Sequence, residues 1–220
     1  MRSILLPMVV ASATFAIPAV AATVSIDSFG SDLFVIAPSG GSEASTNSVA
    51  DASAFGGTRT IAAERLSPTG STNPARNVFA YSDSFDGTGG VSVGTGTTGI
   101  ASFSWSAAAT DLTDLGSNDG IRLGIVSVDS LVNFALTLNG ITVSKATSSA
   151  GDLDFLFTDF AALDATSIST VSLELSGDPA FDASFSFIEA TNVSAVPLPA
   201  GGLLLLGGLG ALGFTRRKRG

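Results

Sequence analysis

The chain has 220 residues, with 19 Asp or Glu against ten Lys or Arg, a formal net charge of −9, and neither cysteine nor histidine. Those two absences exclude disulfides, thiol nucleophiles, Ser-His-Asp catalysis, zinc sites of the Cys/His kind and histidine-ligated haem. The negative charge argues against nucleic acid or anionic lipid as a partner, and leaves carboxylate-only catalysis and calcium open.

Met1 to Ala22 reads as a secretory signal peptide. Arg2 supplies the positive start, Ile4 to Ile17 the apolar core, and Ala19-Val20-Ala21-Ala22 a small-residue exit that signal peptidase can cut after Ala21 or Ala22. Residues 23–195 then form one exported domain, long enough to bury a sizeable core. All 19 acids fall within it against five cations (Arg59, Arg65, Arg76, Arg122 and Lys145), a net −14.

Period-2 alternation dominates this domain, and helical periodicity is nearly absent. The predicted strands are Val24–Phe29, Leu33–Ile36, Arg59–Leu66, Asn77–Tyr81, Gly99–Ser106, Ile121–Val128, Phe134–Leu138, Ile141–Ser144, Leu153–Thr158, Val171–Ser176 and Ala183–Phe187. Asn139-Gly140 between two of them tolerates the positive φ angles of a type I′ hairpin turn. Ala37 to Gly57 is small and polar and reads as a long loop. Thr88 to Thr98 reads as irregular, with Val91 and Val93 in a short edge strand. Short strands between Gly/Ser/Asp turns predict an all-β fold, a single antiparallel β-sandwich of jelly-roll type, favoured over a barrel. The phenylalanines, fifteen in all, are concentrated in the strands and supply the core.

Three constellations could carry chemistry. Asp111, Asp114 and Asp119 cluster between two strands and either serve as turn aspartates or offer oxygens to calcium, although their spacing does not match an EF-hand loop. Trp105 and Tyr81 offer flat aromatic faces for a sugar ring, although a lone Trp beside Phe103 on an alternating strand is more often a core residue. Glu64, Glu174 and Glu189 lie on strands, but nothing in the sequence pairs them as glycoside hydrolysis requires.

The C-terminus has three parts. Val196-Pro197-Leu198-Pro199-Ala200 is held extended by its prolines, an uncharged run continues to Phe214, and Arg216-Arg217-Lys218-Arg219 follows. As a helix, residues 196–214 span roughly 28 Å, just enough for a bilayer core, with the basic cluster on the cytoplasmic side. Six glycines make it a weak helix, better suited to a temporary handle than to a packing segment.

This tail resembles a PEP-CTERM sorting signal in its Val-Pro-Leu-Pro-Ala variant, over residues 196–220. The resemblance implies recognition and processing at Val196–Ala200 by an exosortase, a membrane cysteine protease-transpeptidase. It also implies transient residence in the inner membrane, then the cell surface or an extracellular polysaccharide matrix. Gly56-Gly57-Thr58-Arg59, the strand bearing Trp105, Asp111-Leu112-Thr113 with Asp119, and Phe185–Glu189 are similar to β-rich ectodomains that precede such tails. Many of those carry Gly-Gly-Glu-Arg-Asp where this chain has Gly-Gly-Thr-Arg-Thr. The expectation is an exported, non-enzymatic envelope or matrix protein needing no cofactor. The alternative is a carbohydrate-binding module that uses Trp105 and Tyr81 with calcium near Asp111–Asp119, and a carboxylate hydrolase ranks third.

Overall fold

The computed structural model describes residues 22–37, 44–67 and 77–193. The signal peptide and the sorting tail, with Val196–Ala200 and Arg216–Arg219, lie outside the described residues. In chain order the strands are β1 (Val24–Asp27), β2 (Leu33–Ile36), β3 (Ser45–Ala50), β4 (Thr58–Ser67), β5 (Val78–Asp83), β6 (Thr88–Val93) and β7 (Thr98–Thr110). They continue with β8 (Gly120–Val128), β9 (Val132–Leu138), β10 (Ile141–Thr147), β11 (Gly151–Leu156), β12 (Ile168–Gly177) and β13 (Asp182–Thr191).

Two antiparallel sheets pack face to face as a sandwich. One runs β11-β8-β13-β6-β5-β2, with β1 also paired to β13; the other runs β10-β9-β12-β7-β4-β3. Alternation decides which side of each strand faces in. In β9, Val132, Phe134, Leu136 and Leu138 are buried while the residues between them are half-exposed, and β12 repeats the pattern with Val171, Leu173 and Leu175. Eight phenylalanines (29, 55, 103, 134, 155, 160, 181 and 185) are buried. Burying such a side chain stabilises the fold by roughly 1.5–3 kcal/mol. Phe29, Phe103 and Phe185 meet edge to face, with centroids 5.0–6.2 Å apart. At the β9–β10 turn, Asn139 and Gly140 take φ of 47° and 83°, as their sequence requires.

Two segments differ from the sequence expectation. Ser45–Ala50, expected within a long loop, is an edge strand paired with β4. It is polar because an edge strand on a solvated face has little apolar surface to cover. The expected edge strand at Val91 and Val93 is interior, with β5 on one side and β13 on the other. Its glycines explain the misreading, because each yields its side-chain space to a ring from elsewhere. A Cβ on Gly89 would lie 2.7 Å from Phe29 and 3.0 Å from Phe185 in the core; on the opposite face, one on Gly90 would lie 2.6 Å from the Tyr81 hydroxyl.

A charged cluster sits between the sheets. Arg59 and Asp27 are both fully buried, and Arg59 Nη1 donates to Asp27 Oδ1 and Oδ2 at 2.7 and 2.6 Å. Arg59 Nη2 donates to the Ser31 carbonyl, Ser82 Oγ and Asp51 Oδ2. The guanidinium also lies 5.0 Å from the Phe29 ring centroid. Buried charge survives only with such dense partnering. The cluster joins β1, β4 and β5 across the core.

Candidate functional site

The outer face of the seven-stranded sheet carries aromatic rings where a solvated strand would ordinarily carry polar groups. In β2 and β5, Val35, Val78, Ala80 and Ser82 point inward, leaving Phe34, Ile36, Phe79 and Tyr81 outside. Phe34 is directly opposite Tyr81 and Ile36 opposite Phe79. Phe34 and Phe79 stack with centroids 5.5 Å apart and planes at 28°, yet Phe34 remains 55% exposed. Tyr81 lies against Gly90 of the neighbouring strand, where a Cβ would come within 2.6 Å of its hydroxyl. A groove of about 460 Å³ runs along this edge, lined by Asp32, Leu33, Phe34, Tyr81, Ser82 and Asp83. Phe85 stands beside it on the β5–β6 turn, almost wholly exposed.

The same construction recurs further along the face. Phe187 of β13 lies over Gly124 of β8 as Tyr81 lies over Gly90. Between the two rings, Ser184 and Ser127 share a 2.7 Å hydrogen bond. By strand spacing and rise the two glycines are roughly 14 Å apart. Beyond Phe187, Arg122 is held by Asp154 at 2.8 and 3.1 Å and by Asp152 at 3.4 Å, with Glu189 opposite it on β13.

Electrostatics keep these groups in definite protonation states. Burial raises the Tyr81 hydroxyl above its usual pKa, and the nearby Asp182, Asp83 and Asp86 carboxylates push it further, so it stays a proton donor. Asp32 is held below the ordinary carboxylate range by donors from Ser84, chiefly its backbone N–H at 2.6 Å, and remains an acceptor. Glu189 is pushed up by burial; the Arg122 guanidinium offsets part of that rise and Asp152 adds to it. The face therefore combines flat apolar rings with fixed donors and acceptors around them.

The remaining predicted site residues do not join this face. Trp105 is 2% exposed, and its Nε1 donates to Asp27 Oδ2 at 2.6 Å inside the core, so it has no ring face to present to a ligand. The calcium candidates do not converge. Asp111 Oδ1 accepts from the Thr113 backbone and hydroxyl at 2.8 and 2.6 Å, and Asp119 Oδ1 accepts from the Val193 N–H at 2.7 Å. Asp114 sits in the intervening turn at φ 46°. Among the described residues, no three carboxylates are grouped to hold a metal ion. Glu64 and Glu174, unpaired in the sequence, share a shallow dent of about 80 Å³ with Ser102 and Ile100.

Phe34, Phe79 and Phe187 were not singled out from sequence. For Phe34 and Phe79 the available signal was an aromatic at an outward position of an alternating strand, whereas Phe187 shares the parity of buried Phe185 and is turned to the outer face, opposite Gly124, by the register shift between them.

No protein-family model matches the sequence, and no curated protein is detectably similar to it. Among solved structures, the chain is similar to the family 11 carbohydrate-binding module of Clostridium thermocellum. In its complex with a β-1,3-1,4-mixed-linked tetrasaccharide that module is 14% identical, with a TM-score of 0.39 over 77% of this chain and 95% of the module. Its solution structure gives 16% identity and a TM-score of 0.42 over 80% of this chain and 98% of the module. A family 61 module bound to β-1,4-galactotriose gives 11% and 0.30 over 66% and 86%. Similarity at this level assigns neither a site nor a ligand. The class rests on the coordinates alone: an antiparallel two-sheet β-sandwich with an aromatic outer face.

Proposed function

We propose that residues 23–195 form a non-catalytic carbohydrate-binding domain that holds a polysaccharide chain on the outer face of the seven-stranded sheet. The observation that carries this reading is the half-buried Tyr81, its hydroxyl end set over Gly90, beside the Phe34–Phe79 stack. A sugar ring presents apolar C–H groups on its faces and hydroxyls around its rim. Flat rings meet the first, while Asp32, Asp83, Ser127, Ser184 and the Tyr81 hydroxyl meet the second. The net −14 of the domain favours a neutral polymer.

The sorting tail supplies the setting. In this reading the chain is exported, held briefly in the inner membrane, processed by an exosortase at Val196–Ala200, and delivered to the cell surface or matrix where such polymers lie. Calcium and other cofactors have no part in it.

Affinity electrophoresis of the full chain in mild detergent, through gels containing soluble neutral polysaccharides (a β-glucan, an α-glucan and a galactan), tests the proposal. At least one polymer should retard the wild type. Tyr81→Ala with Phe34→Ala should weaken that retardation about tenfold or more, while Trp105→Phe should leave it unchanged. Equal retardation of the wild type and the double variant would refute the site.

A further inference from the structure

The outer face of the six-stranded sheet is built differently. Ser48, Thr60, Ser104, Ser172, Thr137 and Thr142 occupy successive register positions on β3, β4, β7, β12, β9 and β10, one hydroxyl per strand across the whole sheet. The outer pairs are hydrogen-bonded, Ser48 to Thr60 at 2.8 Å and Thr137 to Thr142 at 2.7 Å. A second row follows two residues along, where Thr170 faces Ser106 and Thr58 lies beside them. The central part of both rows lines a groove of about 280 Å³, together with Trp105 and Val171, which are almost wholly buried. Neither row contains a charge.

From this arrangement we propose a second glycan site, in which the groove takes a neutral polysaccharide chain lying across the strands and held by hydrogen bonds without ring stacking. At about 4.8 Å per strand the row is roughly 24 Å long, enough for several sugar residues. Each hydroxyl both donates and accepts, which matches the rim of a neutral sugar and gives no advantage to an ionic ligand. The negative domain would repel a polyanion. Sheet twist selects a chain over a flat solid. At about 20–25° per strand the row turns by roughly 100° or more, so a flat lattice meets only two or three strands, whereas a single chain can follow the curve.

The inference rests on the carbohydrate-binding reading and extends it. Two glycan faces on opposite sides of one sandwich make the domain a cross-linker, since each face can hold a different polymer chain. Many weak contacts on a polymer suffice when a second face raises the effective concentration.

The test uses the polysaccharide that retards the wild type, with two readouts: electrophoretic retardation and the viscosity of a dilute polymer solution. Tyr81→Ala with Phe34→Ala should keep a residual retardation but lose the viscosity rise that the wild type produces. Adding Thr60→Val, Ser104→Ala and Ser172→Ala, all outside the core, should abolish the residue. Those three changes alone should leave strong retardation and also lose the viscosity rise. If the aromatic variant shows no retardation, or the added hydroxyl changes leave it unaltered, the groove is not a site and the aromatic face still stands. If no polymer in the panel retards the wild type, both readings fall together.

Discussion

Trp105 Nε1 and Arg59 Nη1 both donate to the same carboxylate oxygen, Asp27 Oδ2, each at 2.6 Å. The indole is thus a structural donor that helps a buried anion hold a buried cation. Trp105→Phe keeps an aromatic in the core but removes the donor and part of the indole's volume, so it should cost about 1.5–3 kcal/mol in urea unfolding. Asp27→Ala leaves Arg59 buried without its main partner and should cost about 3–5 kcal/mol. A Trp105→Phe protein as stable as wild type would show that the indole bond contributes nothing.

The two glycines under the outer rings should respond differently to a methyl group. At Gly124 the three nearest atoms to an added Cβ all belong to the Phe187 ring, which can tilt away. At Gly90 the added Cβ lies 2.6 Å from the Ala183 carbonyl oxygen, and backbone cannot tilt. Gly124→Ala should therefore cost about 1 kcal/mol and Gly90→Ala about 3 kcal/mol or more. Melting temperatures in the reverse order would contradict the packing described for Tyr81 and Phe187.

Acid stability follows from carboxylates held below their ordinary range. Burial acts to raise Asp51, but donors from Ser53 and the Arg59 guanidinium outweigh it and the net shift is downward. Asp159 is lowered chiefly by its hydrogen bond from Lys145. A carboxyl lowered in the folded state contributes stability that is complete above its unfolded value, here 3.8, and is lost as pH falls below that through the folded value. The urea midpoint should fall steeply below that point, and Asp51→Asn should flatten the fall. Glu189, raised by burial, acts in the opposite sense: its contribution is present at low pH and fades as pH rises past 4.5. Glu189→Gln should consequently be relatively more stable at pH 7 than at pH 4.

Calcium should leave the melting temperature unchanged, because Asp111 and Asp119 already accept hydrogen bonds from their own loop and from Val193. A comparison of EDTA with millimolar calcium by scanning calorimetry checks this. A rise of several degrees with calcium that disappears in Asp119→Ala would restore a metal site.

The mature protein from its native host should end near Ala200, with or without an attached group, when weighed intact. A chain still carrying Arg216–Arg219 would replace the sorting reading with a simple membrane anchor.

The fold was largely legible because strand alternation is local. Val171–Ser176 lies within a longer strand, and the Asn139-Gly140 hairpin formed where the turn chemistry placed it. Two features were hidden because they depend on neighbours distant in sequence. Ser45–Ala50 lacks the alternation of a half-buried strand, and Gly89-Gly90 looks like a breaker until the rings of Phe29, Phe185 and Tyr81 are brought to it. Arg59 left a fainter trace. It shares strand parity with Ile61 and Ala63, both of which point inward, so the alternation itself places a cation in the core and demands an anion there. Tyr81 was recognised as a ligand candidate from its chemistry, whereas Trp105 had the same chemistry and went inside. What separates the two is which face of the strand each occupies, together with the donor bond to Asp27.

At Gly89-Gly90 the wall of the sandwich is a single backbone thick, with borrowed rings on either side and no side chain of its own. Any side chain added at these two positions would have to displace core rings or backbone, which a change at Tyr81 or Phe187 would not. In the carbohydrate-binding reading, a change in sugar preference would fall to the flanking strands β5 and β13 rather than to these two glycines.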